Sequence, residues 1–320
     1  MHFISTRLIW LVVLAGLFVI PFLLPNFRVF QINLMIVYAI AVLGLNLLTG
    51  YAGQISLGHG AFYAIGAYVA AVLMEHAGFS AYATLPVAAV VCFGAGVLMG
   101  FPALRLGGHY LALATFALAL AVPQLLKYKG IAEYTGGVQG IVLSKPNPPF
   151  EFRFLGAPLT EDRWLFFVTI AVALPLFLLA SNLIKGRIGR AIVAIRDQPI
   201  AAGALGVNLA WVKTLTFGLS AAYTGIAGAL GAVVIAFVAP DSFTSFLSIS
   251  LLVGVVVGGL GSIWGALFGA AFIQFVPNIA DEISKSAPWA VYGAILIVLI
   301  YVAPGGVMGA FKKLKTGDAK

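Results

Sequence analysis

Along this chain, residues free of Asp, Glu, Lys and Arg gather into long apolar stretches at about 8–25, 30–48, 55–74, 81–101, 107–126, 164–183, 214–238 and 288–308. Each is close to the roughly 20 residues that a helix needs to cross a bilayer core. No ten-residue alternation of polar and apolar positions, the mark of an outer-membrane barrel strand, is present. The pattern therefore predicts helices. A ninth stretch, at about 249–276, is interrupted by Gly258-Gly259-Leu260-Gly261-Ser262. It reads either as one long tilted helix or as two short ones. Met1 to Pro25 resembles a signal peptide, but no small-x-small site follows its apolar run, so a retained first helix is expected.

Composition agrees: 62% of the 320 residues are hydrophobic and 9% charged, against about 25% charged in soluble domains. A soluble globular protein is excluded. The net charge of +8 does not indicate nucleic acid, because the basic residues follow membrane topology instead of one soluble face. Suppose the N-terminus is cytoplasmic and the broken stretch enters and returns. The inner segments then hold 11 basic residues (Arg7, Arg105, Lys185, Arg187, Arg190, Arg196, Lys213, Lys312, Lys313, Lys315 and Lys320) against Asp197 and Asp318, and the outer segments hold 7 basic and 8 acidic residues. A single crossing of the broken stretch would put the Lys312-Lys313-Lys315 tail outside, against the positive-inside rule. The expected fold is all-α: one polytopic membrane domain over 1–320, about ten helical segments, some short or broken, and both termini cytoplasmic. Two connections are long enough to dock soluble partners: a Pro-rich outer loop at 127–163 and a basic inner loop at 185–213.

Asn46 to Gly60 joins two spans, carries no formal charge and is rich in glycine. Irregular backbone at membrane depth survives only where protein or a water-filled cavity covers it. One reading is a cavity lining in which Asn46, Thr49, Gln54, Ser56 and His59 bond a passing solute; the other is tight packing through small residues. The second glycine cluster holds G-x-x-x-G spacings at Gly254/Gly258, Gly261/Gly265 and Gly265/Gly269, which packing alone explains. Its place in the second half suits an internal duplication whose two breaks meet near the midplane. In the inner loop, Asp197 with Pro199 is a helix start and Gly206 a helix stop. The helix between them spans about two turns and is too short to stand alone in water, which suggests that something else covers it; the alternative is that Arg187, Arg190 and Arg196 merely anchor the topology.

Several chemistries are missing. No G-x-x-x-x-G-K-[ST] phosphate loop occurs. No carboxylate falls in the middle of an apolar span, where a proton-driven carrier keeps its relay. Cys92 is the sole cysteine, and His2, His59, His76 and His109 lack ligand spacing, so neither a disulfide nor a metal is expected.

Leu45-Asn46-Leu47-Leu48-Thr49-Gly50-Tyr51-Ala52-Gly53-Gln54-Ile55-Ser56-Leu57-Gly58-His59-Gly60-Ala61-Phe62 resembles a signature of the inner-membrane permeases of branched-chain amino acid ABC importers. Ala194-Ile195-Arg196-Asp197, then Ala201-Ala202, Leu205-Gly206, Lys213 and Phe217 to Gly228, resembles the inner loop and following helix of the LivM type. Gly258 to Gly265 resembles a further glycine signature, and Thr135-Gly136-Gly137 an outer-loop motif; the likeness covers about 30 to 308. Gly203 departs from it, standing where the importer loop often has an acidic residue.

The resemblance implies a prokaryotic inner-membrane transport subunit, not an enzyme, with no cofactor of its own; ATP is bound by partner chains. Those partners would be a second permease of the LivH type, two ATP-binding subunits of the LivG and LivF types and an extracytoplasmic substrate-binding protein, all working in membrane lipid. It also implies roles for residues. Arg196, Asp197, Ala201, Ala202, Leu205 and Gly206 would couple to the ATPases. Asn46, Gly53, Gln54, Ser56, Gly58, His59, Gly60, Gly259, Gly261 and Ser262 would line the pathway, and Thr135, Gly136 and Gly137 would meet the binding protein. Branched-chain amino acids are the implied cargo, with urea or short amides as the alternative. A channel or carrier working without ATPases stands further off.

Overall fold

The structure is a computed structural model that describes residues 16–104, 108–154 and 156–316. The start of the expected span 8–25, and Arg7, Arg105, Asp318 and Lys320 of the charge count, lie outside those residues. Helix α1 covers 16–23 and gives way at Pro25 to α2 (Asn26–Asn46), which continues through a π-helical turn at Leu47–Tyr51. There follow α3 (His59–Ala77), α4 (Ala81–Ala103), α5 (Gly108–Leu126), a short α6 (Ala132–Thr135) and α7 (Glu161–Lys185). The inner loop holds α8 (Arg187–Asp197) and α9 (Pro199–Ala204); beyond it come α10 (Leu209–Ile235), α11 (Ser245–Gly258), α12 (Gly265–Ile283), α13 (Pro288–Val302) and α14 (Gly306–Thr316). Eight helical stretches among the described residues are long and apolar enough to cross a membrane. Helix α12 and the described part of α1 are not among them.

Helices α2 and α10 form the centre, and α3 and α4 pack on α10. Small residues allow that approach: a methyl on Gly66 would overlap the Gly225 carbonyl, and one on Gly228 the Tyr63 carbonyl. In a bilayer, where lipid competes equally for apolar surface, such close backbone contact holds helices together.

The broken stretch is two helices. α11 and α12 form a tight hairpin in which Gly254 faces Gly269 and Gly258 faces Gly265, each pair close enough that one added Cβ would meet the opposite carbonyl. Both flanks of the hairpin therefore lie on one side, as the charge count required. The internal duplication is not seen in the packing: α11 and α12 pack directly, whereas α2 and α3 both pack on α10 and barely touch each other.

The 127–163 connection is ordered but builds no core of its own. Its strand β1 (Ile141–Val142) pairs antiparallel with β4 (Phe237–Val238), and β2 (Arg153–Phe154) pairs with β3 (Ala157–Pro158) in a small hairpin. Buried Arg163 donates to the carbonyls of Pro21 (2.9 Å), Leu24 (3.4 Å) and Pro158, tying α7 to the α1–α2 turn and the hairpin. Ion pairs Lys145–Asp162 (2.6 Å) and Lys127–Asp241 fasten the loop further.

Candidate functional site: where two broken helices meet the inner loop

At Asn46 the regular α-helix ends, and the chain continues as a wider π turn at Leu47–Tyr51. The irregular segment after it is covered by protein. Leu57 N–H donates to Thr115 Oγ1 (2.9 Å), Gly60 N–H to Ser248 Oγ (2.9 Å) and Gln54 N–H to the Leu48 carbonyl (3.1 Å). Gly58 lies so near Thr115 that a Cβ would sit 2.8 Å from its carbonyl oxygen.

His59 is fully buried and its ring is spoken for on both sides. Nε2 lies 2.6 Å from Ser220 Oγ, which itself donates to the Gly44 carbonyl at 2.5 Å; Nδ1 lies 3.0 Å from Ser56 Oγ. Because the one Ser220 proton is committed to Gly44, Ser220 accepts from Nε2–H, and Nδ1 accepts from Ser56. Ser56 in turn accepts from Gly58 N–H (3.3 Å). This chain pins α3 to α10 and α2 and turns His59, Ser56 and Gly58 toward the protein interior.

The two breaks do meet. Asn46 Nδ2 donates to the Ser262 carbonyl at 2.8 Å, and Asn46 Oδ1 accepts from Gly261 N–H at 2.9 Å, so one buried amide clasps the hairpin turn with both of its ends. Ser262 Oγ accepts from Gly265 N–H (3.2 Å) at the start of α12, and Gly259 abuts Gly305 and Gly306 at the start of α14. The meeting point lies against the inner loop, because the π turn carries α2 past Asn46 to the side where α8 sits. Arg196 of α8 donates from Nη1 to the Gly50 carbonyl (3.0 Å), covers Gly53 with its side-chain methylenes, and pairs through Nε with Asp197 (2.8 Å).

The inner loop differs from expectation at one point. Asp197 is the last residue of α8 and does not cap the next helix; Gln198, extended at φ −148°, is the cap residue of α9. A residue before proline is driven out of the helical region, so the break falls there. α9 itself is the short helix predicted, with Pro199 first and Gly206 just past its end at φ +87°, a left-handed conformation that glycine adopts without cost. Ala202 is buried beneath it, Ala201 is exposed, and Ile200 and Leu205 stand out at 88% and 85% exposed. Ile200 was not among the residues picked from the sequence. Neither was α8, whose Ile188, Ile192 and Ile195 recur at helical spacing and whose latter two are buried.

Below the first break lies a cavity of about 220 Å³ bounded by Gly53, Gln54, Ile55, Arg196, Pro199 and Lys213, among others. Of the residues expected to line a pathway, Gly53 and Gln54 face it. Thr135, Gly136 and Gly137 form a closed turn on the other side of the molecule: Thr135 is buried, donates to the Leu126 carbonyl (2.9 Å) and accepts from Gly137 N–H (3.2 Å), while Gly136 packs on the Gly140 carbonyl.

Comparison with known proteins gives this geometry its setting. Residues 28–303 match the family described as branched-chain amino acid transport system / permease component. The high-affinity branched-chain amino acid transport system permease proteins LivM of Salmonella typhimurium and Escherichia coli are each 34% identical, over 94% of this chain and 75% of theirs. The permease protein LivH of Escherichia coli is 26% identical over 85% of this chain and 91% of its own length. No solved structure matches. The matched span contains both helix breaks, the clasp between them and the inner loop, and on that evidence the chain belongs to the branched-chain amino acid transport permease family, as a multi-pass membrane subunit with no ATPase site and no cofactor of its own.

Proposed function

We propose that this chain is one of two permeases of an ATP-driven importer for aliphatic amino acids, and that α8 and α9 form its mechanical input. The observation that carries this reading is the junction: Arg196 links the inner loop to the first break, and Asn46 links the first break to the second. Two ATP-binding subunits of the LivG and LivF types grip the exposed Ile200 and Leu205 on this chain and the equivalent helix of a LivH-type partner. A binding protein delivers cargo outside, at the surface that the buried 135–137 turn supports, where Tyr134 and Val138 are exposed.

Closure of the ATPase dimer on ATP then displaces α8–α9 as a unit. Packed elements move between discrete arrangements and do not deform smoothly, so the displacement reaches Gly50 and Gly261 together and changes access between the two permeases. Uncharged spans suit a zwitterion with an aliphatic side chain. The test is uptake of labelled leucine, with urea in parallel, at low concentration by cells lacking only this gene. Loss of leucine uptake, restored by the chain, is the expected result; loss of urea uptake with leucine uptake intact would overturn the cargo assignment.

A further inference from the structure

We infer that the cavity below the first break is a carboxylate-binding subsite that holds the amino acid as it leaves toward the inner side, an assignment that rests on the importer reading above. Gln54 is 8% exposed and lines the cavity, and its Nε2, closed off in the cavity wall, has no hydrogen-bond partner, so a turn of the side-chain amide is what presents that donor to a ligand. A buried amide donor left without an acceptor is rare and calls for a ligand or a water.

Lys213 borders the same space. Among the described residues the ion pairs are Lys127–Asp241, Lys145–Asp162 and Arg196–Asp197, and none engages Lys213. Arg196 is already balanced by Asp197, so Lys213 leaves the cavity net positive. The remaining wall is apolar: Ile55, Leu111, Ile195 and Pro199.

The lining thus combines an amide donor and an ammonium, which an anion can use, with aliphatic surface. A volume of about 220 Å³ is below the roughly 300–1,000 Å³ of drug-sized sites and suits one small molecule. An aliphatic amino acid uses both kinds of group, with its carboxylate in charge-assisted contact. Urea uses neither.

The experiment takes inside-out membrane vesicles containing the whole importer, with Ile55→Cys in this chain. The sole native cysteine, Cys92, is buried, so a membrane-impermeant maleimide, read on this chain after its isolation, reports the cavity. Leucine added at the inner face slows labelling; leucinol, which keeps the side chain and the ammonium but lacks the carboxylate, leaves it unchanged. Gln54→Leu and Lys213→Gln each raise the leucine concentration for half-protection about tenfold, the loss of one charge-assisted hydrogen bond. Pro199→Cys is a second reporter should Ile55→Cys fail to assemble, and Arg187→Cys, exposed at the start of α8 and outside the cavity, is labelled alike with or without leucine. Equal protection by leucinol, or none by leucine, overturns the subsite. Leucine uptake by the same cells separates the failures: uptake without protection sinks the subsite alone, whereas an assembled importer without leucine uptake sinks the cargo reading and the subsite with it.

Discussion

Arg196 holds the carbonyl of Gly50 at 3.0 Å although 146 residues separate them. A guanidinium from the inner loop is thereby fixed to the last turn of a central span, at the point where that span loses its regular hydrogen bonding. Any push on α8 arrives first at this π turn and at the irregular segment that follows it. The second link, the Asn46 amide, passes the same displacement to the α11–α12 turn.

Asn46→Ala removes both bonds of the clasp at once. Each is worth about 0.5–1.5 kcal/mol, and leaving the partner groups unsatisfied adds to the cost. The expected outcome is a lower melting midpoint in detergent together with reduced uptake, both read against membrane level by immunoblot.

Gly269→Leu places a side chain where the Gly254 backbone lies. Overpacking of this kind typically costs about 1–3 kcal/mol in a core that can yield, and here the obstacle is backbone. The hairpin is expected to open and the protein to be lost from the monodisperse peak in fluorescence-detected size-exclusion chromatography. Gly293→Ala, at a glycine with open space around it, leaves that peak unchanged.

The exposed aliphatics of α9 predict a binding phenotype. Burying one such side chain contributes about 1.5–3 kcal/mol, so Ile200→Asp or Leu205→Asp lowers co-purification of the ATP-binding subunits about tenfold or more. Ala201→Ser, beside them, leaves it nearly unchanged.

Gly206→Pro tests the end of the same helix. Proline is locked near φ −65° and cannot take the +87° seen there, so α9 loses its exit turn. Transport is expected to cease while the protein remains in the membrane, because no atom lies within 4 Å of the Cβ position at Gly206. Normal uptake in this variant would remove α9 from the coupling route.

Much of this architecture is legible in the residues because the bilayer demands it. A span such as 214–238 must lack charge, and the basic tail must stay inside, which turned the broken stretch into a hairpin before any geometry was known. The glycine pairs Gly254/Gly269 and Gly258/Gly265 then follow from antiparallel packing. Depth was harder. The break at Gly50 to Gly60 marks where the helix ends along the chain, but the π turn at Leu47–Tyr51 decides how far it reaches, and no composition signal distinguishes π from α backbone. Polar residues in the break also gave no hint of direction. His59 turns inward to Ser220, 161 residues away, and Ser56 bonds His59, while Gln54 borders a cavity that it shares with distant Lys213. The Thr135-Gly136-Gly137 turn is similar: its glycines are needed where Gly136 meets the Gly140 carbonyl.

The most direct test of the coupling account is to reconstitute the full importer in proteoliposomes and follow ATP hydrolysis and leucine uptake together, for the parent chain and for Arg196→Ala. Removing the guanidinium cuts the link to Gly50 but leaves Ile200 and Leu205 in place to engage the ATPases. The account predicts that hydrolysis continues while uptake falls about tenfold or more, as loss of a charged hydrogen bond worth about 1.5–3 kcal/mol requires. Uptake and hydrolysis that stay at parental levels, or that fall in strict proportion, would contradict it.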